Sequence, residues 1–231
     1  MAEDPGPLPW NTVAPEVLAS AYIHGWFPMA ADESGAIHLF EADPRGIMPL
    51  TPEEGLHVPA SVERVLRSGR FVITSDQGFE AVIRGCALPR PNDGVWISAQ
   101  LIEAMCAMHE AGFAHSIEAW RTDPSTGARH VVGGIYGVSI GRLFCAESMF
   151  CLPRPRLADG SRDPLDGTDA SKACLVTLIR HMASIGYGLL DIQMVTPHTA
   201  RFGARNIRRA HYRAKTRPLV ESPDAWRPLP G

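Results

Sequence analysis

One segment constrains this chain more than any other. Tyr187 to Val195 is a continuous apolar run of strand length, the signature of a strand buried on both faces, yet two polar residues interrupt it. In Leu189-Leu190-Asp191-Ile192-Gln193-Met194-Val195, Asp191 and Gln193 lie two apart, which puts both side chains on one face, about 7 Å apart at their Cα atoms. Burying a carboxylate without partners costs several kcal/mol. Asp191 is therefore either a structural carboxylate bonded to amides near a strand end or, with Gln193, an acceptor pair able to touch one ligand atom.

The rest of the pattern places that strand in an α+β domain with a mixed, mostly antiparallel sheet. Pro15-Glu16 announces a first helix that stops at Gly25, after a Pro-rich arm over residues 1 to 13. Short apolar runs among Pro and Gly up to Pro59 read as a small strand-and-turn unit. From Ala60 helices and strands alternate: a helix over Ser61 to Ser68, a strand over Phe71 to Thr74, a helix capped by Ser75 or Asp76, a brief apolar run Val95-Trp96-Ile97, and a helix capped by Ser98. Strands follow at Ala114 to Trp120, Val131 to Ile140 and Leu143 to Phe150, the last two joined by a Gly141-Arg142 turn. Cys151 to Asp169, with three prolines and alternating Arg and Asp, reads as an exposed mobile loop, and Ser171 caps a helix closed by Gly186. The expected division is a small N-terminal domain over 1–59, a main domain over 60–218 and a tail over 219–231.

The chain's 22 Lys+Arg against 25 Asp+Glu give a net charge of −3, which argues against a nucleic-acid partner until it is divided. Between Gln193 and Val220 there is no acid, while Arg201, Arg205, Arg208, Arg209, Arg213, Lys215 and Arg217 contribute +7. Like charges so concentrated repel, and phosphate binding relieves the repulsion. The five cysteines show no zinc spacing and read as reduced core thiols, and the start has no leader pattern, so a cytoplasmic protein is expected.

Glu147 is the second misplaced charge, alone among apolar and small residues in Phe144-Cys145-Ala146-Glu147-Ser148-Met149-Phe150. His115 and Glu118 beside Trp120 resemble it, with a role in strand packing. Gly133-Gly134 and Gly137 read as close packing or a bulge. No nucleotide-binding glycine loop, nucleophile elbow or metalloprotease motif occurs. The residues alone thus point to an apolar cleft with Glu147, Asp191 and Gln193, beside a basic surface.

Taken together, ordered blocks from about Tyr22 to Tyr212 resemble the leucyl/phenylalanyl-tRNA-protein transferase family. They include Gly25-Trp26-Phe27-Pro28, Asp43-Pro44-Arg45, Gly112-Phe113-Ala114-His115-Ser116-Ile117-Glu118, Gly133-Gly134-Ile135-Tyr136-Gly137, Glu147-Ser148-Met149-Phe150, Asp191-Ile192-Gln193 and Phe202-Gly203-Ala204. The resemblance implies a GNAT-like acyltransferase domain preceded by a small N-terminal α/β subdomain. It implies a monomeric enzyme without cofactor or metal that moves Leu or Phe, and Met with them, from aminoacyl-tRNA to an N-terminal Arg or Lys, marking the acceptor protein for degradation.

By position, the resemblance gives Asp191 and Gln193 the chemical step, with Asp191 accepting a hydrogen bond from the amine. It gives Glu147 the basic acceptor side chain, and Ile135, Phe144, Met149 and either Ile185 or Leu190 the Leu or Phe side chain. Trp96 and Phe40 fall where the family holds the 3′-terminal adenosine, Phe40 standing in for a missing Trp pair, and Met105 stands where a Tyr is common. Arg201, Arg205, Arg208, Arg209 and Arg213 are the expected tRNA contacts. Two rival readings remain at this stage: an acetyl-CoA-dependent GNAT acetyltransferase, against which the absence of a Q/R-x-x-G-x-G/A loop counts, and a non-catalytic RNA-binding protein.

Overall fold

A computed structural model of the chain describes residues 13–30, 34–89 and 96–230. Val95 and most of the N-terminal arm lie outside them. Helix α1 (Pro15–Ile23) leads into a hairpin of β1 (Phe27–Ala30) and β2 (Ile37–Phe40). Then come β3 (Arg45–Met48), α2 (Ala60–Arg67), β4 (Val72–Ser75), α3 (Phe79–Cys86), α4 (Ala99–Glu110), β5 (Ala114–Thr122), β6 (Arg129–Ile140) and β7 (Leu143–Cys151). The chain closes with α5 (Ala170–Ser184), β8 (Leu189–Gln193), α6 (Pro197–Ala200), β9 (Arg205–Ile207) and α7 (Arg209–Val220).

Seven strands form one sheet in the order β4-β5-β6-β7-β8-β3-β9, antiparallel everywhere except between β7 and β8. The expected mixed, mostly antiparallel sheet is present. The sheet does not respect the division at residue 59, because β3 is inserted between β8 and β9. Gly46 allows it: a Cβ there would lie 2.8 Å from the Met194 carbonyl carbon, so only glycine lets β3 approach the end of β8. Helices α1, α3 and α4 cover one face over a core that includes Tyr22, Phe79, Met105 and Tyr136. Helices α5 and α2 cover the other over Ile117, Phe144, Leu178 and Leu190.

Several local readings change for identifiable reasons. Ser98 caps α4 as expected, its Oγ accepting from Leu101 N at 3.2 Å. Asp76 caps nothing; its carboxylate is drawn to Ser116 N at 2.9 Å, to His115 and to the Trp226 indole, and α3 begins three residues later. Helix α5 starts at Ala170, with Asp169 in the left-handed region as its cap residue. The stretch 151–169 is organised around the buried Asp166, whose Oδ1 accepts from Arg154 N, Thr168 N and the Thr168 hydroxyl at 2.9, 3.0 and 2.6 Å. The tail after α7 docks through the buried Trp226 against Phe144 and His115.

Candidate active site

The position of Glu147 follows from a β-bulge. Along the β6–β7 pair, Tyr136 faces Ser148 and Gly137 faces Ala146, so Glu147 is the extra residue. A bulge reverses the side-chain alternation beyond it. Before it, Leu143 and Cys145 face the α3 side and Phe144 and Ala146 the α5 side; after it, Phe150 faces the α3 side and Met149 the α5 side. Glu147 stands at the reversal, half-buried, near the buried hydroxyls of Tyr22 and Tyr136. Burial pushes its carboxyl up to about 8; the Asp191 charge adds to the rise, while the Tyr22 hydroxyl and the Arg45 guanidinium oppose it.

Asp191 is fully buried on β8, and its oxygens are taken. Arg45 Nε lies 2.9 and 3.1 Å from them and its Nη2 2.6 Å, the Tyr212 hydroxyl donates at 2.6 Å and the Gln193 amide at 2.8 Å. The Cys145 thiol adds a weak contact at 3.5 Å. Both carboxylate oxygens are engaged by donors of the chain itself. Asp191 thus anchors Arg45, Tyr212 and the backbone of Gln193. Burial pushes the Cys145 thiol well up, as does the Asp191 charge, so it is no ready nucleophile.

Gln193 joins the two carboxylates. Its backbone N–H donates to Asp191, and its side-chain Nε2 donates to Glu147 Oε1 at 3.1 Å. The residue takes a φ of +52°, an unusual conformation for a side-chain-bearing residue, and β8 ends there. Since Nε2 is committed to Glu147, the amide Oε1 is the atom left to accept from a ligand.

Glu147 also forms one wall of a small apolar cavity of about 90 Å³, lined with Ile135, Ala146, Met149, Leu175 and Ile192. Ile135 and Met149 line this cavity. Phe144 does not, because it lies below the cavity in the core, 5.6 Å from the Trp226 ring centroid. Ile192 of β8 lines it as well, whereas neither Leu190 nor Ile185 does. A second cavity of about 340 Å³ opens beside Gln193, lined by Phe27, Met29, Phe40, Pro44, Met194 and Asn206. Phe40 thus lines a cleft; the Trp96 carbonyl accepts from Ala30 N at 2.9 Å, next to Met29 of that cleft.

The basic segment divides in two. Arg209 and Arg213 both pair with the buried Glu41, at 3.0 and 2.8 Å. Arg205 donates to the Glu54 carbonyl at 2.9 Å. Arg201, Arg208 and Lys215 are exposed and pair with no carboxylate among the described residues. Acids distant in sequence thus neutralise part of the +7 run, which the charge count along the chain does not reveal. Arg45 and Tyr212 are the site residues that sequence reasoning missed. The signal for Arg45 was the misplaced Asp191 itself, since a carboxylate in a doubly buried strand requires a cationic partner.

The family model of leucyl/phenylalanyl-tRNA protein transferase matches residues 50–217. Among relatives bearing the name leucyl/phenylalanyl-tRNA–protein transferase, that of Novosphingobium aromaticivorans is 42% identical over 205 residues, covering 87% of this chain and 69% of its own. That of Rubrobacter xylanophilus is 41% identical, covering 87% of this chain and 91% of its own, and that of Thiobacillus denitrificans 42% identical, covering 94% and 83%.

Proposed function

The chain belongs to the leucyl/phenylalanyl-tRNA protein transferase family, and from that premise we propose how its site moves an aminoacyl group from tRNA to a protein. The observation that carries the reading is Gln193, fixed to Asp191 by its backbone and to Glu147 by its side chain, at the wall of an apolar cavity.

The Leu or Phe side chain enters the cavity of Ile135, Ala146, Met149, Leu175 and Ile192. Selection there is a matter of shape, worth about 1–3 kcal/mol per methylene, and Met149 adapts to either outline. The 3′-terminal nucleoside lies in the neighbouring cleft against Phe40, and the exposed cations Arg201 and Arg208 meet tRNA phosphates. Glu147, once ionised, pairs with the guanidinium or ammonium of an N-terminal Arg or Lys. These substrates place the reaction in the cytoplasm, and no helix among the described residues is long and apolar enough to cross a membrane.

In the chemical step the acceptor α-amine attacks the ester carbonyl carbon, the amide C–N bond forms and the ester C–O bond breaks. The electron pair of that bond goes to the ribose oxygen of the tRNA, and the amine proton goes to the same oxygen. With a pKa near 8, the amine is partly neutral at physiological pH and needs orientation more than deprotonation. Gln193 Oε1 accepts from it and aims its lone pair; positioning of this kind supplies roughly 7–11 kcal/mol of a barrier. Asp191 is a positioning residue, holding the Gln193 backbone in its unusual conformation.

The test mixes the purified chain with radiolabelled Leu-tRNA and peptides beginning with Arg, Lys or Ala. Label is expected on the Arg and Lys peptides alone. Transfer from acetyl-CoA instead, or tRNA binding with no label on any peptide, overturns the reading.

A further inference from the structure

Away from the pocket, three side chains with metal-ligating atoms converge at the far end of the helical layer. Asp76 follows β4, His109 lies in the last turn of α4 and His115 lies on β5, and one ligand atom from each lies within 4.8 Å of the others. Both imidazoles are held as rigid plates. His109 stacks on Phe79 with 4.4 Å between ring centroids, and His115 on the buried Trp226 with 4.3 Å.

Each ring also directs one nitrogen at a backbone carbonyl. His109 Nδ1 lies 2.8 Å from Ala114 O, and His115 Nε2 lies 3.1 Å from Gly112 O. A carbonyl oxygen only accepts, so those nitrogens carry protons, leaving one nitrogen of each ring for another partner. For His115 that nitrogen, Nδ1, faces Asp76 Oδ2 at 2.9 Å. The surroundings match those of a metal site, where ligating histidines donate their other N–H to carbonyls and ligating carboxylates are themselves hydrogen-bonded. Ser116 N donates to Asp76 Oδ1 at 2.9 Å, and the Trp226 indole to Oδ2 at 2.8 Å.

We propose that Asp76, His109 and His115 bind one divalent transition-metal ion of the zinc class, which ties the start of α3, the end of α4 and strand β5 together beneath the C-terminal Trp226. Two imidazoles and a carboxylate suit zinc, with water as fourth ligand. Metal–ligand bonds of about 2.1 Å set tetrahedral ligand atoms about 3.4 Å apart, so the His115–Asp76 pair, at 2.9 Å, opens by about 0.5 Å as the ion enters. The site is separate from the transfer chemistry, so its failure would leave that reading intact.

The experiment strips the full-length chain with chelator, adds zinc or cobalt, removes excess ion by gel filtration and measures metal per chain. One equivalent is expected for the wild type, with a visible cobalt spectrum and a Tm raised by roughly 3 °C or more at saturating zinc. Asp76→Asn and His109→Gln, which retain all five cysteines, are expected to lose the equivalent and the shift while remaining folded by circular dichroism. Retention of the metal by both variants assigns it to cysteines and overturns the proposal. So does a His115 ring that NMR shows protonated at Nδ1 in the presence of excess zinc, because the proton then occupies the place of the ion. A variant that fails to fold is replaced by the NMR measurement on the wild type, which decides alone.

Discussion

Arg45 and Asp191, 146 residues apart in sequence, form a bidentate ion pair with both side chains buried. Asp191 raises the Arg45 guanidinium against the opposing effect of burial, and the aromatic rings of Phe27 and Tyr212 lie 4.9 and 4.8 Å from its central carbon. The pair pins β3 to β8, where Ile47 stands opposite Asp191, and through Gln193 it sets the geometry of the site.

Removing one partner strands a buried charge. Arg45→Ala and Asp191→Ala are each expected to lower unfolding free energy by about 3–5 kcal/mol in urea titrations. The apolar pair Arg45→Met with Asp191→Leu is expected to regain most of that stability but not the transfer activity. Recovery of activity with stability would show that Asp191 does not position Gln193.

How much of this was legible in the sequence depends on the range of each interaction. Asp191, Gln193 and Glu147 stood out because a polar group in an apolar run conflicts with its local pattern, and the β6–β7 hairpin was readable from its turn. Arg45 was not, because its partner is fixed only when β3 inserts between β8 and β9. The bulge at Glu147 was equally hidden. Read with strict alternation, Phe144 and Met149 fall on opposite faces of β7, whereas the extra residue brings both to the α5 side, Met149 at the cavity and Phe144 in the core beneath. The charge run misled in the same way, since Glu41 lies 168 residues from Arg209.

Glu147 carries a pH dependence of definite sign. Its carboxyl ionises near 8 in the folded chain and near 4.3 when unfolded, so between those values the folded state binds the extra proton. Its contribution to stability is therefore lost as the pH rises from about 4 to 8. Glu147→Gln is expected to remove that dependence and to be more stable than the wild type by about 4–5 kcal/mol at pH 8, with no gain at pH 4. In the wild type, the KM for Arg-peptides is expected to fall as the pH approaches 8. Subtracting the Glu147→Gln profile cancels the titration of the acceptor amine.

The two kinds of arginine in the basic segment separate under mutation. Arg201→Ala and Arg208→Ala are each expected to reduce the slope of log K for tRNA against log salt by about 1 without changing Tm. Arg209→Ala with Arg213→Ala is expected to lower Tm as well, because it leaves Glu41, 3% exposed, without its partners. Equal Tm in all variants would mean that Glu41 does not depend on these arginines.

Gly137 lies opposite the bulge and has no room for a side chain. A Cβ there would come within 2.3 Å of the Cys145 carbonyl oxygen and 2.5 Å of Phe144 Cε1. The backbone oxygen cannot swing away as a side chain would, so Gly137→Ala must move β6 against β7. Overpacking of this kind costs about 1–3 kcal/mol, or roughly 3–10 °C in Tm for a chain of this size. Gly134→Ala meets the side chain of Val82, at 2.7 Å, and serves as the comparison. Because Gly137 pairs with Ala146 beside Glu147, its substitution is expected to raise the KM for Arg-peptides more than Gly134→Ala does, at matched loss of stability. Equal effects on KM would show that the register of the bulge does not position the carboxylate.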